Sequence, residues 1–208
     1  MIDYLRDPEA IYRASFDAVR AATDLSAIDA DLEALAIRLV HAVGQPEIVA
    51  DLAGSVGAAL AGQNALAAGA PILVDAHMVE AGIIRTRLPR DNRVICTLDE
   101  PGVADAARAQ STTRSAAAAE RWLPDLAGAV VAIGNAPTAL FRLLELLDEG
   151  APRPAVILGF PVGFIGAAEA KAALVKNPRG AAFIALKGRL GGSALAAAAV
   201  NALAGGLS

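Results

Sequence analysis

Among the side chains that could do acid–base chemistry near neutral pH, His41 stands in the most unusual setting. It lies in the segment IRLVHAVG, three residues after Arg38 and near the end of a helix-patterned run. On a helical wheel it points away from the apolar stripe, beside Ile37 and Arg38, toward a face that is half apolar instead of fully charged. We expect a second subunit or a ligand to cover this face. A structural role for His41 and a role in proton transfer both stay open from this pattern alone.

Arg114 lies in what should be the first turn of a helix, where a cation opposes the helix dipole by a few tenths to about 1 kcal/mol. An anion bound at that helix start would explain it, because free N–H groups and the guanidinium would bind the anion together. An ordinary solvated ion pair with Asp105 or Glu120 is the alternative. The turn GRLGGS offers similar N–H donors where a later helix begins at Ser193.

The second histidine, His77, follows a predicted strand beside Asp75. It could be a second acid–base group, but we favour the interpretation that it is a partly exposed loop residue. Cys96 lies inside a predicted strand with no basic neighbour to lower its pKa, so we expect an inert core thiol. Two histidines and one cysteine give no zinc-ligand spacing along the chain. The sequence therefore predicts no metal site.

Glycine-rich turns invite a nucleotide interpretation that the spacing does not support. The segment GFPVGFIG reads G-x3-G-x2-G with Pro161 inside the turn, unlike the dinucleotide fingerprint G-x-G-x-x-G. No Gly-x-Ser-x-Gly elbow is present for a hydrolase nucleophile. The segment is therefore a weak nucleotide signal, and a nucleotide-dependent oxidoreductase is a poor hypothesis.

Composition narrows the class of protein. The 208 residues are 55% hydrophobic and only 4% aromatic, with a net charge of −4, which argues against nucleic acid as a partner. A single cysteine excludes an internal disulfide, and the charged N-terminal segment lacks an apolar signal region. Together these two features predict a cytoplasmic protein.

The uncharged stretch 52–74 contains five helix-breaking Gly and Pro residues with Gln63 and Asn64 at its centre. We therefore expect a buried helix running into a strand, and no membrane span.

The order of predicted elements indicates an α/β fold. Asp7 and Pro8 start a first helix, and a second runs from about Ser26 or Asp29 to Val43, with an apolar stripe that faces the sheet. Continuously apolar strands alternate with helices after that, which indicates an open, doubly wound parallel sheet of about five strands with helices on both faces. The predicted strands are 71–75, 94–98, 129–134, 155–160 and 182–187. The later predicted helices are 113–123, 137–149, 167–176 and 193–204. We expect a single domain over residues 1–208.

In such a sheet, ligands bind at the carboxyl ends of the strands. Four of the five ends are rich in Gly, Pro, Asn or Ser, and GNAPT with Asn135 is one of them. Backbone can approach a ligand closely there, so the sequence predicts a binding edge.

Segments along nearly the whole chain resemble the precorrin-8X methylmutase family, whose members move a methyl group on the corrin precursor of cobalamin. The resemblance rests on many motifs in order: DYLRDPEAIYRASF, RLVHAVG, GAPILVDAHMVEAGI, RLPRDNRVICTLDEP, TRSAAA, VVAIGNAPTALFRLLEL, GFPVGFIGAAEAK and GRLGGSALAAAAVNAL. It implies a flavodoxin-like fold with extra N-terminal helices, a homodimer, and a pocket near the subunit interface.

The resemblance also implies roles for individual residues. His41 corresponds to the family's catalytic histidine, and Arg38, Ser15 and Arg114 correspond to positions that contact the substrate. Ile84 stands where the family often has threonine, with Thr86 as a substitute hydroxyl, and His77 stands where glutamate is common. The remaining positions that we expect to contact the substrate's carboxylates are Arg85, Arg87, Asn135 and Ser193, with N–H groups near Ala136. Phe160 or Phe164 would support the macrocycle face.

The implied reaction is an isomerisation without metal, redox cofactor or methyl donor. A methyl group moves from ring carbon 11 to ring carbon 12 of precorrin-8X and gives hydrogenobyrinate, and His41 donates and recovers a proton. The family acts on metal-free and on cobalt-containing forms of the substrate. A tetrapyrrole-binding carrier without catalysis is the alternative, and turnover of added precorrin would distinguish the two.

Overall fold

The computed structural model describes residue 2 and residues 4–205 of the chain, and a six-stranded sheet forms its centre. The strands are β1 (Leu52–Gly54), β2 (Ile72–Val74), β3 (Val94–Cys96), β4 (Val130–Ile133), β5 (Val156–Gly159) and β6 (Ala182–Leu186). The α-helices are α1 (Pro8–Ala22), α2 (Glu33–Val43), α3 (Ala58–Ala67), α4 (His77–Gly82), α5 (Val103–Ala109), α6 (Arg114–Glu120), α7 (Pro137–Asp148), α8 (Ala167–Lys176) and α9 (Ser193–Gly205).

Five of the strands, β2 to β6, are parallel and lie in the order β3-β2-β4-β5-β6. Counted among themselves this order is 2-1-3-4-5, which confirms the predicted flavodoxin-like sheet. The register places Val74 of β2 beside Ala132 of β4 and beside Cys96 of β3. The residues that follow these three strands therefore meet at one edge of the sheet. The chain runs outward from β2 to β3 on one side and continues with β4 on the other side, so the strand order reverses at β2.

Helices cover both faces because the strands are apolar on both sides. In β2, Ile72 and Val74 face a core that the helices α2, α3, α4 and α9 complete, while Leu73 faces the core under α6, α7 and α8. All three residues are buried. This arrangement explains why the strands read as continuous hydrophobic runs, without alternation.

Two N-terminal helices pack outside this framework, as the sequence predicts. The carboxylate of Asp7 accepts a hydrogen bond from the N–H of Ala10 at 2.7 Å and so caps α1, and Gly44 ends α2 in the left-handed conformation with φ of 71°. The predicted second helix starts later, at Glu33, after a single tight turn.

The face of α2 that carries His41 is covered differently from our expectation. Ile37 and Arg38 are buried within the chain itself, where α1 packs against α2 and the Arg38 guanidinium lies over the ring of Phe16. The prediction that a ligand or second subunit must cover the whole face was therefore wrong. His41 alone remains exposed among these three residues.

The uncharged stretch 52–74 forms β1, α3 and β2. The predicted buried helix and following strand are present, but the sequence analysis missed β1, which pairs antiparallel with β6 at the sheet's edge. It also missed the short helices α4 and α5. Within residue 2 and residues 4–205, no helix is long and apolar enough to cross a membrane.

Candidate active site

His41 lies in the last turn of α2 with its ring held between the N-terminal helix and solvent. Its Nδ1 atom is 3.0 Å from the Ser15 hydroxyl, and the ring of Phe16 stacks on it with centroids 4.6 Å apart. Both Ser15 and Phe16 come from α1, which therefore fixes the plane of the imidazole. Within the described residues no protein group hydrogen-bonds Nε2, so this nitrogen is available to a ligand.

Two shallow clefts meet at His41. One has a volume of about 340 Å³ and is lined on its far side by small residues of α9, among them Ala194 and Ala197. The other, of about 350 Å³, runs along α1 past Ser15 and ends at Pro46. The imidazole can thus reach a ligand that lies in either cleft or across both.

Two arginines converge on one phenol beside His41. Arg38 donates to the Tyr12 hydroxyl at 2.8 Å, and Arg87 donates to the same oxygen at 3.2 Å. Burial opposes ionisation of the phenol, but the hydrogen bonds from Arg87 and Arg38 outweigh it and lower the pKa of Tyr12. Sequence reasoning missed Tyr12. Its spacing of three residues from Ser15 on the same helix was the available signal.

Asn201 of α9 fixes the segment after α4, which leads to Arg87 at the edge of this cleft. Its side-chain amide donates to the carbonyl of Gly82 at 2.9 Å and accepts from the N–H of Ile84 at 2.8 Å. The short turn from Arg85 to Arg87 follows directly. Ile84 lines the His41 cleft where the family often has threonine, and Thr86 is exposed in the turn.

The buried carboxylate of Asp75 joins the ends of β2 and β4. It accepts backbone hydrogen bonds from Gly134 at 2.8 Å, Asn135 at 2.9 Å and Ala136 at 2.6 Å. Burial raises its pKa, and these three donors offset only part of the effect. The Ala136 N–H that we expected to bind a substrate carboxylate is therefore already used. The Asn135 side chain stays exposed at the edge of the sheet.

Ser193 starts α9 directly against the end of β4. A Cβ atom on Gly134 would lie 2.7 Å from the Ser193 Cα, so only glycine permits this approach. Ser193 is 9% exposed, and its hydroxyl has no hydrogen-bond partner among the described residues. The next residue, Ala194, is exposed and lines the His41 cleft. The first turn of α9 therefore borders this cleft at Ala194.

A network of charged groups surrounds His77 at the ends of β2 and β3. The ring nitrogens lie 3.1 Å from carboxylate oxygens of Glu80 and Asp99, which in turn pair with Arg85 at 2.9 Å and Arg114 at 3.4 Å. The hydrogen bond to Glu80 raises the pKa of His77, burial opposes this rise, and Asp99 adds to it. Half of the His77 side chain is exposed, as predicted, but it begins a helix instead of lying in a loop.

Arg114 does occupy the first turn of a helix, α6, yet its partner is neither of the two that we considered. Asp105 pairs with Arg108, and Glu120 pairs with Arg142, so both acids are already engaged. Asp99 reaches Arg114 because β3 ends beside the start of α6. The hydroxyl of Thr113 accepts from the Ala116 N–H and caps this helix.

The two phenylalanines that we expected under the macrocycle differ in accessibility. Phe160 is fully buried in the core between β5 and α9, so it cannot contact a ligand. Phe164 is 85% exposed in the loop after β5, with the Arg189 guanidinium over its ring. Only Phe164 remains a candidate for an apolar contact.

The predicted site residues thus fall into three neighbouring groups. Ser15, Arg38 and His41 share the clefts, with Ile84 and Arg87. Asn135 and Ser193 lie at the end of β4. Arg85 and Arg114 flank His77, and Thr86 lies in the turn between the groups.

The fold and the site together define a flavodoxin-like α/β protein with an exposed histidine in an arginine-lined cleft, suited to proton transfer on an acidic ligand. The family model for precorrin-8X methylmutase matches residues 10–205. The chain therefore belongs to the precorrin-8X methylmutase family, and it is an isomerase. This membership favours the isomerase over the non-catalytic carrier.

Individual relatives agree with the family assignment. A precorrin-8X methylmutase from Pseudomonas aeruginosa is 60% identical over 204 residues and covers 98% of both chains. One from a Sinorhizobium species is 54% identical over 202 residues, covering 97% of this chain and 96% of its own. The crystal structure of precorrin-8X methyl mutase from Thermus thermophilus superposes with a TM-score of 0.85 at 41% identity, over 94% of each chain.

Proposed function

We propose that this protein converts precorrin-8X to hydrogenobyrinate by moving a methyl group from ring carbon 11 to ring carbon 12, with His41 as the proton donor and acceptor. The contact between Ser15 and His41 carries the proposal, because it orients an exposed imidazole at the point where the two clefts meet. Both curated relatives described above are named for the metal-free substrate, which supports precorrin-8X over its cobalt form.

The Ser15 hydroxyl suits a histidine that changes its protonation state. A hydroxyl can donate to a neutral Nδ1 and can accept from a protonated one, so the 3.0 Å contact persists in both states. His41 would protonate the conjugated macrocycle through Nε2, which eases the methyl shift, and would recover the proton afterwards. The Phe16 ring keeps the imidazole plane fixed during this exchange.

General acid catalysis accounts for only part of the acceleration. One positioned proton donor contributes about 10²–10⁴-fold. Holding the macrocycle in a single reactive geometry must supply much of the rest. The carboxylates on the substrate's periphery offer the handles for this, and the arginines around the clefts offer the complementary charge.

We assign the carboxylate contacts to the three groups of residues around the site. Arg38 and Arg87 border the His41 cleft, and both donate to the Tyr12 hydroxyl. Arg85 contacts Glu80 through Nη2 and Arg114 contacts Asp99 through Nη1, and each guanidinium would bind substrate carboxylates through its other N–H groups. Further donors are Asn135, Thr86 and the first turn of α9 at Ser193.

We further propose that the protein works as a homodimer in the cytoplasm, with residues 1–208 as one domain. The clefts at His41 are open and shallow, so a second copy would be needed to enclose a macrocycle. The exposed Phe164 and Ile165 offer an apolar surface for such a contact. Light scattering of the purified protein should give twice the mass of one chain, and the mass of a single chain would overturn the dimer.

The reaction is tested by incubating purified protein with metal-free precorrin-8X and following the absorption spectrum. We expect the spectrum to change to that of hydrogenobyrinate, with product identity checked by NMR of the migrated methyl group. A parallel incubation with the cobalt-containing substrate should be slower. Binding of precorrin-8X without any spectral change would overturn the proposed reaction.

A further inference from the structure

The sheet brings three side chains of different chemistry together beyond the His41 clefts. His77, Glu80 and Cys96 each offer one ligand atom, and these atoms all lie within 4.8 Å of one another. His77 and Glu80 lie on α4 directly after β2, and Cys96 ends the neighbouring β3. We propose that these three residues bind a divalent transition-metal ion of the zinc class.

The ligand types select the class of ion. Imidazole nitrogen, thiolate sulfur and carboxylate oxygen together are a ligand set that zinc and cobalt(II) accept, whereas magnesium and calcium prefer oxygen alone. Three protein ligands leave a fourth position for water or an anion. The spacing of these residues along the chain gives no such signal, because Cys96 arrives from another strand.

The local geometry is close to what a tetrahedral ion needs. The Nδ1 atom of His77 lies 3.1 Å from Oε2 of Glu80, and two ligands of a tetrahedral zinc ion are roughly 3.3 Å apart for bonds of about 2.0 Å. The opposite nitrogen, Nε2, lies 3.1 Å from Oδ2 of Asp99. A metal-bound histidine usually donates its other N–H to such a carboxylate, which fixes the ring and its tautomer.

The flanking arginines hold the other oxygen of each carboxylate. Arg85 binds Oε1 of Glu80, so Oε2 stays directed at His77. Arg114 approaches Oδ1 of Asp99 and leaves Oδ2 to the imidazole. An ion on His77 and Glu80 can therefore enter without breaking either ion pair.

Access and charge also favour the ion. The side chains of His77 and Glu80 are 55% and 31% exposed, so an ion can enter from solvent. The carboxylates of Glu80, Asp75 and Asp99 place negative charge around the Cys96 thiol. A bound cation would offset those charges and hold the thiolate.

The test is a titration of the full-length, chelator-treated protein with Co²⁺, followed by competition with Zn²⁺. We expect one equivalent to bind, with visible d–d bands and a near-ultraviolet band from thiolate-to-cobalt charge transfer. Cys96→Ser should lose the near-ultraviolet band. His77→Ala and Glu80→Gln should weaken binding at least tenfold, and Asp99→Asn about 10- to 100-fold.

Matched controls separate this site from general metal binding. His41→Ala removes the other histidine, and Glu100→Gln removes an exposed carboxylate next to Asp99; neither should change Co²⁺ affinity. If Cys96→Ser fails to fold, the variants at the exposed His77 and the partly exposed Glu80 still test the proposal. Absence of the charge-transfer band in the unmodified protein, or undiminished affinity in both His77→Ala and Glu80→Gln, would overturn the proposal.

Discussion

The hydroxyl of Ser15 on α1 lies 3.0 Å from Nδ1 of His41 on α2, so the N-terminal helix directly orients the imidazole. Replacing Ser15 with alanine removes this contact. We expect kcat for precorrin-8X to fall about fivefold to tenfold, the equivalent of one hydrogen bond of about 1 kcal/mol. Steady-state kinetics measure this, and Ser15→Thr, which keeps the hydroxyl, should recover most of the rate. Equal losses in the alanine and threonine variants would mean that the hydroxyl plays no part.

The Tyr12 hydroxyl is the common acceptor for Arg38 and Arg87. In Tyr12→Phe both guanidiniums lose this shared acceptor, while the ring contact with Phe16 is retained. We expect KM for precorrin-8X to rise about tenfold with a smaller change in kcat. Tyr4→Phe alters the only other tyrosine, which is exposed, and should change neither constant. A fall in kcat at unchanged KM would contradict a role in binding.

The neighbours of His77 predict its titration. Hydrogen bonding to Glu80, opposed by burial and helped by Asp99, raises its pKa above the ordinary 6.5. Because the folded-state pKa is raised, His77 stabilises the fold below pH 6.5 and loses this contribution as the pH rises through the higher value. NMR titration in a chelating buffer can follow it alone in His41→Ala, since the chain has two histidines.

In the same experiment Glu80→Gln should lower the pKa of His77 more than Asp99→Asn does, because the Glu80 hydrogen bond is the larger cause. A pKa below 6.5 in the otherwise unmodified network would contradict the described ion pairs.

Lys171 is fully buried and donates to the carbonyl of Leu190 at 2.5 Å, in the loop that leads to Ser193. Burial lowers its pKa to about 8 from an ordinary 10.5, despite the opposing charge of Asp51. Between these two pH values the unfolded chain binds the extra proton, so this group makes the protein more stable as the pH rises from 8 to 10.5.

Lys171→Met removes the titrating group at similar volume. Comparing urea unfolding of the two proteins across this range should show the free-energy difference shifting in favour of the lysine protein, by at most about 3 kcal/mol. A difference that does not change with pH would show that the ammonium is not desolvated in the folded state.

The sequence predicts the sheet well because its strands are continuously apolar. All five parallel strands lie inside the predicted ranges, and the helix at Ser193 begins where the GGS turn indicated. β1 was missed because its three half-buried residues carry no periodic pattern, and it exists through pairing with β6. Propensity cannot reveal a strand of this kind.

The site could be predicted only in part, for a related reason. The resemblance supplies His41, Ser15 and Arg38, and these do lie together. Tyr12 and Asn201 were not identified because their roles depend on tertiary packing. Tyr12 of α1 reaches Arg38 of α2, and Asn201 of α9 reaches the segment after α4. The partners of Arg114 and His77 depend on strand order, which places Asp99 beside both although it is distant from His77 along the chain.

The central claim, that His41 exchanges a proton with the macrocycle, is tested most directly by single-turnover kinetics of His41→Ala on precorrin-8X. We predict a rate lower by about 10²–10⁴-fold, with hydrogenobyrinate affinity within about tenfold of the unmodified protein. Added imidazole should restore part of the rate. Unchanged turnover in His41→Ala would contradict the account.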